Sequence, residues 1–181
     1  MISNLLPRIL IGVLLSVGSV LPLSSWAAPE AKAIDKLDLE KFMGSWYVLA
    51  GRFTKHEAGA FNGIETYKLD PDESNIKITY EFNKDSLTGK KETIPQKGWV
   101  VNKESKAHWK VSPMWPIRFN YLVLAVADDY SWTAVGVPDQ KYLWIMARDW
   151  KNPEASVEKA VKALEKIGYD TTIATKIQHQ H

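Results

Sequence analysis

The chain has 181 residues, of which 45% are hydrophobic and 24% are charged. This length predicts one domain, or at most two small ones, and the composition excludes a mostly disordered or collagen-like protein. The formal net charge of +2 leaves no strong electrostatic footprint for nucleic acid, so no nucleic-acid partner is expected. Because the chain contains no cysteine, we exclude a disulfide framework, a cysteine-based metal site, a cysteine nucleophile and a lipid anchor on cysteine.

The start of the chain predicts a cleaved secretory signal. A single charge, Arg8, precedes the apolar run Ile9–Leu23, which is shorter than the roughly 20 residues that a membrane-spanning helix needs. Small residues follow at Ser25 and Ala27, the positions that a leader peptidase recognises. We therefore expect residues 1–27 to be a signal peptide and residues 28–181 to form a single exported domain with a core of about residues 35–177. An uncleaved N-terminal anchor is the alternative.

Eight β-rich runs follow one another before the last part of the chain. The clearest is Ile76–Phe82, where apolar and polar residues alternate strictly, as in a half-buried strand. The connections are too short to hold crossover helices, which predicts antiparallel hairpins. Because an open sheet exposes its edges to aggregation, we expect an all-β, eight-stranded antiparallel up-and-down barrel. The predicted strands are Trp46–Arg52, Ile64–Leu69, Ile76–Phe82, Gly98–Val101, Trp109–Val111, Phe119–Ala127, Trp132–Val137 and Tyr142–Arg148.

One α-helix is predicted after the strands, packed on the outside of the barrel. Asn152 suits the N-cap, Pro153 the first helical position and Gly168 the position after the last turn. An apolar stripe at helical spacing should pack against the barrel wall. The stripe consists of Val157, Ala160, Val161, Leu164 and Ile167.

The predicted connections differ in length between the two ends of the barrel. Alternate connections are longer and chemically more varied, namely Thr54–Gly63, Asn83–Glu92 and Ser112–Arg118. In an up-and-down barrel these three lie at one end, so this end should be open and the opposite end closed. At the closed end, barrel closure should bring Trp46 beside Arg148, where a guanidinium group can stack on an indole ring.

Three short motifs resemble those of the lipocalin family. Gly44 and Trp46 match its Gly-x-Trp motif before the first strand, Asp129-Tyr130 its acidic-Tyr motif, and Arg148 the arginine that ends the last strand. Within that family the chain looks most like bacterial lipocalins related to apolipoprotein D. The resemblance covers the core defined above and implies lipid transport or storage in the cell envelope. Many of these relatives are outer-membrane lipoproteins, but without a cysteine their membrane anchor is not carried over.

The parity of the strands predicts which side chains face the barrel interior. If Trp46 points inward, Val48 and Ala50 should do so as well, and the family's pattern places the alternate residues before Arg148 inside. Such an apolar and aromatic lining, with tyrosine hydroxyls as its polar groups, suits a hydrophobic tail better than a sugar or nucleotide. A solid, filled core is the alternative. The predicted lining is Tyr67, Ile78, Tyr80, Trp109, Val111, Tyr121, Val123, Tyr142, Trp144 and Met146.

Cations and an apolar segment are expected around the mouth of the barrel. Lys90, Lys91 and Arg118 suit contact with a phosphate or carboxylate headgroup, although an ordinary solvated surface is the simpler interpretation. The four consecutive apolar residues Met114–Ile117, which include Trp115, favour a mouth rim or a membrane contact. A loop folded back to cap the barrel is the alternative.

Signals for catalysis and for metal binding are weak. The four histidines have no zinc-ligand spacing, and the chain contains neither a Gly-x-Ser-x-Gly elbow nor a phosphate-binding glycine loop. For the terminal His179 and His181 we expect disorder rather than a metal site. We therefore expect a non-enzymatic protein without cofactor or metal that binds a fatty acid or lysophospholipid in the periplasm.

Several alternatives stay open at this stage. One is a lipocalin-fold enzyme, or a carrier of haem or pigment. Another is an interaction protein whose barrel is filled and whose Trp115 loop docks a partner. The sequence also leaves open a homodimer and a peripheral contact with the outer membrane.

Overall fold

The computed structural model describes residues 30–70 and 75–180 of the chain. These residues form two α-helices, one short 3-10 helix and nine β-strands. The α-helices are α1 (Leu39–Phe42) and α2 (Pro153–Lys166), and the 3-10 helix is Lys55–Glu57. The strands are β1 (Gly44–Arg52), β2 (Ala60–Leu69), β3 (Ile76–Lys84), β4 (Lys91–Val100), β5 (His108–Met114), β6 (Ile117–Val126), β7 (Trp132–Gly136), β8 (Leu143–Ala147) and β9 (Thr175–Lys176). The predicted signal peptide, residues 1–27, lies outside the described residues.

Strands β1 to β8 close into an antiparallel barrel. From β2 to β8 each strand pairs with the next one along the chain, β8 pairs with β1, and β1 returns to pair with β2. This closure pairs the edges that an open sheet would expose. The predicted fold class and hairpin topology are therefore confirmed.

Helix α2 packs on the outside of the barrel, as predicted. Its buried residues Ala160 and Leu164 share an apolar cluster with outward-facing residues of β6, β7 and β8. The helix ends before Gly168, whose φ of 69° is a backbone conformation that favours glycine. Ile167 was expected on the packed face, but it caps the helix and is 51% exposed because the chain turns away there.

Two hairpins at the open end are longer than the sequence predicts. Strand β4 begins at Lys91 rather than Gly98, and the expected loop Ser112–Arg118 is a continuation of β5 and β6 in which Met114 pairs with Ile117. The outward positions of the added part of β4 are exposed and, apart from Pro95, polar, so hydrophobic alternation is weak there. Backbone pairing with β3 maintains this part of β4 where the side-chain pattern does not.

A bulge in β1 reverses the expected direction of one side chain. The register of β1 against β8 shifts between Val48 and Ala50. Val48 lies opposite Met146 and faces the interior, whereas Ala50 lies opposite Ile145, which belongs to the outer cluster beneath α2. Because residues directly opposite each other share a face of the sheet, Ala50 faces outward. The predicted inward position of Ala50 is wrong.

The C-terminal segment is part of the barrel wall up to residue 180. Strand β9 pairs with Ala50 and Gly51, and the Asn62 N–H of β2 donates to the Gln178 carbonyl (2.9 Å). His179 Nε2 lies 2.8 Å from the Val48 carbonyl oxygen. The segment thus fills the gap where β1 and β2 diverge, and the expectation of a disordered tail is wrong for these residues.

Candidate ligand-binding site

The predicted lining residues come together inside the barrel. Eight of them belong to one buried cluster in the interior, namely Tyr67, Ile78, Tyr80, Trp109, Val111, Tyr121, Val123 and Met146. Trp144 is partly buried and packs against this cluster. Tyr142 lies just before β8, half-buried, with its ring centre 5.9 Å from that of Trp144. The interior is therefore apolar and aromatic from the closed end to the mouth.

Trp46 and Phe42 seal the closed end of the barrel. Both are fully buried, their ring centres are 5.2 Å apart, and the Trp46 indole N–H donates to the Phe42 carbonyl (2.8 Å). The Arg148 guanidinium lies 3.7 Å from the centre of the Trp46 ring, as the sequence predicts. A Cβ at Gly44 would lie 3.3 Å from Arg148 Nη1, so glycine leaves room for this stacking.

The three motifs converge on helix α1, which carries Phe42. Arg148 donates to the carbonyls of Lys41 (2.7 Å), Phe42 (3.1 Å) and Met43 (2.8 Å), which the helix end leaves without intrahelical partners. The Asp38 backbone N–H, at the helix N-cap, donates to the Tyr130 hydroxyl (2.9 Å). Both ends of helix α1, which is the plug of the closed end, are thus tied to the barrel.

Aromatic rings form a column along β5, β6 and β8. Trp109 and Tyr121 stack with ring centres 5.2 Å apart and an interplanar angle of 6°. Tyr121 in turn stacks on Trp144 at 6.3 Å. The column runs from the sealed floor, where Trp109 is fully buried, to the half-buried Trp144 near the mouth. Because Trp109 and Tyr121 are buried, Trp144 is the ring of the column that an alkyl chain entering the mouth can contact first.

A carboxyl group lies among the aromatic side chains of the interior. Glu65 of β2 is 6% exposed, and its Oε1 accepts a hydrogen bond from Gln96 Nε2 (3.4 Å). Burial, reinforced by the charge of Glu57, raises the pKa of Glu65 to about 8, although a hydrogen bond from Tyr67 opposes this. Near neutral pH the Glu65 side chain is therefore largely protonated.

Two tyrosine hydroxyls extend this polar patch. The hydroxyl groups of Tyr67 and Tyr121 are hydrogen-bonded to each other across the barrel. Burial is the main cause that raises the pKa of both phenols well above the usual value, so both keep their protons at physiological pH. The patch of Glu65, Gln96, Tyr67 and Tyr121 can therefore donate and accept hydrogen bonds inside an otherwise apolar barrel.

The 3-10 helix after β1 folds against the mouth. Its Glu57 accepts hydrogen bonds from the Thr54 backbone N–H (2.9 Å) and from the Trp144 indole N–H (2.8 Å). These contacts hold the first open-end loop against the aromatic column. They also place a second carboxylate close enough to raise the pKa of Glu65.

The predicted mouth lysines lie at the open end, on its rim. Lys90 forms an ion pair with Glu92 (3.2 Å) and Lys91 with Glu81 (3.5 Å). Lys91 lies one residue out of phase with the inward-facing Phe82, so its side chain is on the outer wall. Exposed pairs of this kind contribute about 0–1 kcal/mol.

The tip of the β5–β6 hairpin is exposed and apolar. Met114 is 67% and Trp115 70% exposed, and Ile117 and Phe119 nearby are also exposed. Arg118 stacks between Trp99 (4.3 Å) and Trp115 (5.0 Å) on the outer wall. The predicted mouth residues Trp115 and Arg118 thus form a cationic and aromatic surface beside the opening.

Sequence reasoning missed Glu65, Gln96 and Glu57 because it selected apolar residues for the lining. The signal for Glu65 was present, since it lies two residues before the inward-facing Tyr67 and so shares its face. Gln96 required the pairing of β4, where it lies opposite Ile78. The contact of Glu57 with Trp144 joins residues 87 positions apart and has no local signal.

The barrel with a sealed floor, an external helix and an aromatic interior defines a calyx that suits a small hydrophobic ligand. A family model for the lipocalin-like domain matches residues 37–179. The chain belongs to the lipocalin family. Among the described residues, no helix is both long and apolar enough to cross a membrane.

Curated relatives extend this similarity. The chain is 28% identical over 152 residues to temperature-induced lipocalin-1 of Arabidopsis thaliana, covering 78% of each chain. It is 24% identical over 170 residues to the outer membrane lipoprotein Blc of Vibrio cholerae, covering 93% of this chain and 98% of that protein. The identity to Blc of Citrobacter freundii is 30% over 115 residues, covering 64% of each.

Solved structures show the same fold at low identity. Apocrustacyanin C2 superimposes with a TM-score of 0.61 and 15% identity, covering 79% of this chain and 80% of the other. Insecticyanin of the tobacco hornworm Manduca sexta has a TM-score of 0.57 and 20% identity, covering 77% and 79%. These similarities concern the fold alone.

Proposed function

We propose that the protein is exported to the cell envelope and binds a small lipidic ligand, a fatty acid or a lysophospholipid, inside its barrel. The observation that carries the proposal is the aromatic column of Trp109, Tyr121 and Trp144, which leads from the sealed floor to the open end. The similarity to outer membrane lipoproteins Blc supports an envelope location. We propose binding and carriage, rather than catalysis, as the activity.

Fluorescence titration tests the binding of a chain. Delipidated protein is titrated with palmitic acid and with lysophosphatidylethanolamine, and the tryptophan emission is followed. We expect dissociation constants below tens of micromolar, which corresponds to a binding free energy of about −6 kcal/mol or better. Trp144→Phe should lose part of the signal because the ring lies on the proposed path, and Trp115→Phe, on the outer wall, serves as the matched control.

A lack of measurable binding by either lipid would reject the carrier. The filled-barrel interaction protein would then be the better proposal, with the exposed hairpin as its docking surface. Mass spectrometry of lipids that stay bound to natively purified protein gives an independent answer, since it requires no choice of ligand. A coloured preparation would instead favour a pigment or haem carrier.

We also propose that the β5–β6 hairpin contacts the membrane surface. Its exposed Met114 and Trp115 suit the interfacial region of a bilayer, and Arg118 and Lys97 beside them suit anionic headgroups. None of the 181 residues is cysteine, so these residues offer no thiol for lipid attachment.

Vesicle co-sedimentation tests this contact. We expect binding to phosphatidylcholine vesicles that contain phosphatidylglycerol, and weaker binding for Trp115→Ala and Arg118→Glu. Lys166→Glu, at the end of α2, is the matched charge control. Equal sedimentation of Arg118→Glu and Lys166→Glu would refute the contact, and concentration-dependent dimers lost in Trp115→Ala would show that the hairpin joins two copies instead.

A further inference from the structure

The polar patch inside the barrel contains a carboxyl group without a neighbouring cation. None of the ion pairs between described side chains includes Glu65 or Glu57. The titratable groups that act on Glu65 are the phenol of Tyr67 and the carboxyl of Glu57, and the phenols of Tyr80 and Tyr121 interact with both carboxyls. The positive charge that reaches this patch is that of Arg148, which interacts with Tyr67 and not with Glu65.

The charged groups nearest the two ends of the interior have partners other than Glu65. At the floor, Arg148 stacks on Trp46 and donates to backbone carbonyls. At the rim, Lys90 is paired with Glu92. The buried carboxyl of Glu65 is thus compensated only by hydrogen bonds, and ionising it in this apolar setting is costly.

Aromatic side chains lie close to this carboxyl in the barrel interior. Tyr80 and Phe82 of β3 stack with ring centres 5.1 Å apart, and Tyr80 lies directly opposite Glu65 in the barrel wall. Tyr121, which stacks with both Trp109 and Trp144, also interacts electrostatically with Glu65. The faces of aromatic rings attract cations, and a site with rings and a carboxylate is the recurring environment of bound ammonium groups.

We propose that this interior site binds the ammonium group of an amphiphile, an alkyl amine or alkyl quaternary ammonium, with Glu65 as its counter-ion. The proposal rests on the proposed function in one respect only, since the barrel must admit an alkyl chain. An ammonium group supplies the positive charge that the interior lacks. An alkyl carboxylate of the same length cannot form an ion pair with Glu65 and would leave it protonated, and an alcohol would gain hydrogen bonds without ion pairing.

Cation binding in this site is linked to a proton. The pKa of Glu65 is raised to about 8 by burial, so the ligand-free protein holds a proton on this carboxyl at pH 7. A bound ammonium group favours the ionised form and expels that proton. Affinity for the cation should therefore rise as pH increases toward 8 and level off above it, while Tyr67, Tyr80 and Tyr121 stay neutral because their pKa values are also raised.

The test compares three ligands with the same alkyl chain: dodecyltrimethylammonium, dodecanol and dodecanoate. Isothermal titration calorimetry at pH 7 in phosphate and in Tris gives both the affinity and the number of protons released, because the two buffers differ in ionisation enthalpy. We expect dodecyltrimethylammonium to bind about tenfold tighter than dodecanol, with release of nearly one proton. Glu65→Gln should lose the preference and the proton release but still bind dodecanol, whereas Glu104→Gln, in an exposed turn, should match the wild type.

Each result of the calorimetry either supports or overturns the ammonium site. Equal or tighter binding of dodecanol or dodecanoate by the wild type overturns the ammonium site and leaves the lipid carrier standing. Failure of all three ligands to bind overturns both proposals. If Glu65→Gln proves unfolded by circular dichroism, the wild-type proton count still decides, since tight cation binding without proton release would exclude Glu65 as the counter-ion.

Discussion

Replacing Trp46 by alanine removes the side chain that seals the closed end of the barrel. Trp46 is fully buried, donates to the Phe42 carbonyl and carries the Arg148 guanidinium 3.7 Å from its ring centre. Truncation of a buried aromatic side chain costs about 3–5 kcal/mol, and a desolvated guanidinium–indole contact contributes about 1–2 kcal/mol. The Phe42 carbonyl keeps its hydrogen bond from Arg148, so the substitution leaves it with a donor. Because the contributions overlap, we expect a loss of about 4–5 kcal/mol.

Urea unfolding followed by far-ultraviolet circular dichroism measures this loss without depending on tryptophan emission. In thermal unfolding followed by the same signal, the melting temperature should fall by about 10–15 °C. Trp115→Ala is the matched control, since the same side chain is 70% exposed there and its loss should change stability by about 0.5 kcal/mol or less. If both variants lose the same stability, the argument that Trp46 seals the barrel is refuted.

Four further predictions concern the plug, the buried carboxyl, the cavity and the N-terminus. Arg148→Lys should destabilise by about 2–3 kcal/mol in urea unfolding, because one ammonium group cannot bridge the carbonyls that the guanidinium reaches while it stacks on Trp46. An unchanged midpoint would contradict this role. The folded state binds a proton at Glu65 with a pKa of about 8 against the usual 4.5, so the stability that this proton contributes is fully present below pH 4.5 and is lost as pH rises through 8. Glu65→Gln should therefore be more stable than wild type at pH 9 by about 3–5 kcal/mol and nearly equal at pH 4, and parallel pH profiles would argue against a raised pKa. Trp144→Ala should shift the preferred fatty-acid chain length upward because it enlarges the cavity near the mouth, and an identical chain-length profile would place the ligand elsewhere. N-terminal sequencing of envelope-fraction protein should begin at Ala28, and an intact Met1 would contradict signal cleavage.

Local pattern determined most of the fold. Ile76–Phe82 alternates so regularly that β3 and its inward residues follow from the sequence. The short polar connections exclude crossover helices, so hairpin topology and barrel closure were predictable. Gly44, Trp46 and Arg148 also marked the closed end, because the first and last strands of a barrel must meet there.

Hydrophobic alternation failed to predict the part of a strand that only backbone pairing maintains. The sequence predicts β4 only from Gly98, because the earlier outward positions carry Lys91, Thr93, Pro95 and Lys97 and show no hydrophobic alternation. Pairing with β3 makes them a strand, since backbone hydrogen bonds do not depend on side-chain polarity. The bulge that turns Ala50 outward was also not predictable. One extra residue reverses the alternation of side chains, and no residue type in β1 signals it.

The sequence by itself determined the barrel, its external helix and its aromatic lining, because these follow from periods of two and of 3.6 residues and from short motifs. Only the tertiary structure decided the chemistry of the interior. Glu65 acquires its raised pKa from burial and from the charge of Glu57, and Glu57 is held at the mouth by Trp144. Likewise, only strand pairing placed Gln96 beside Glu65 and the C-terminal segment between β1 and β2. Burial and proximity between distant parts of a chain depend on how its elements pack, and no local pattern encodes them.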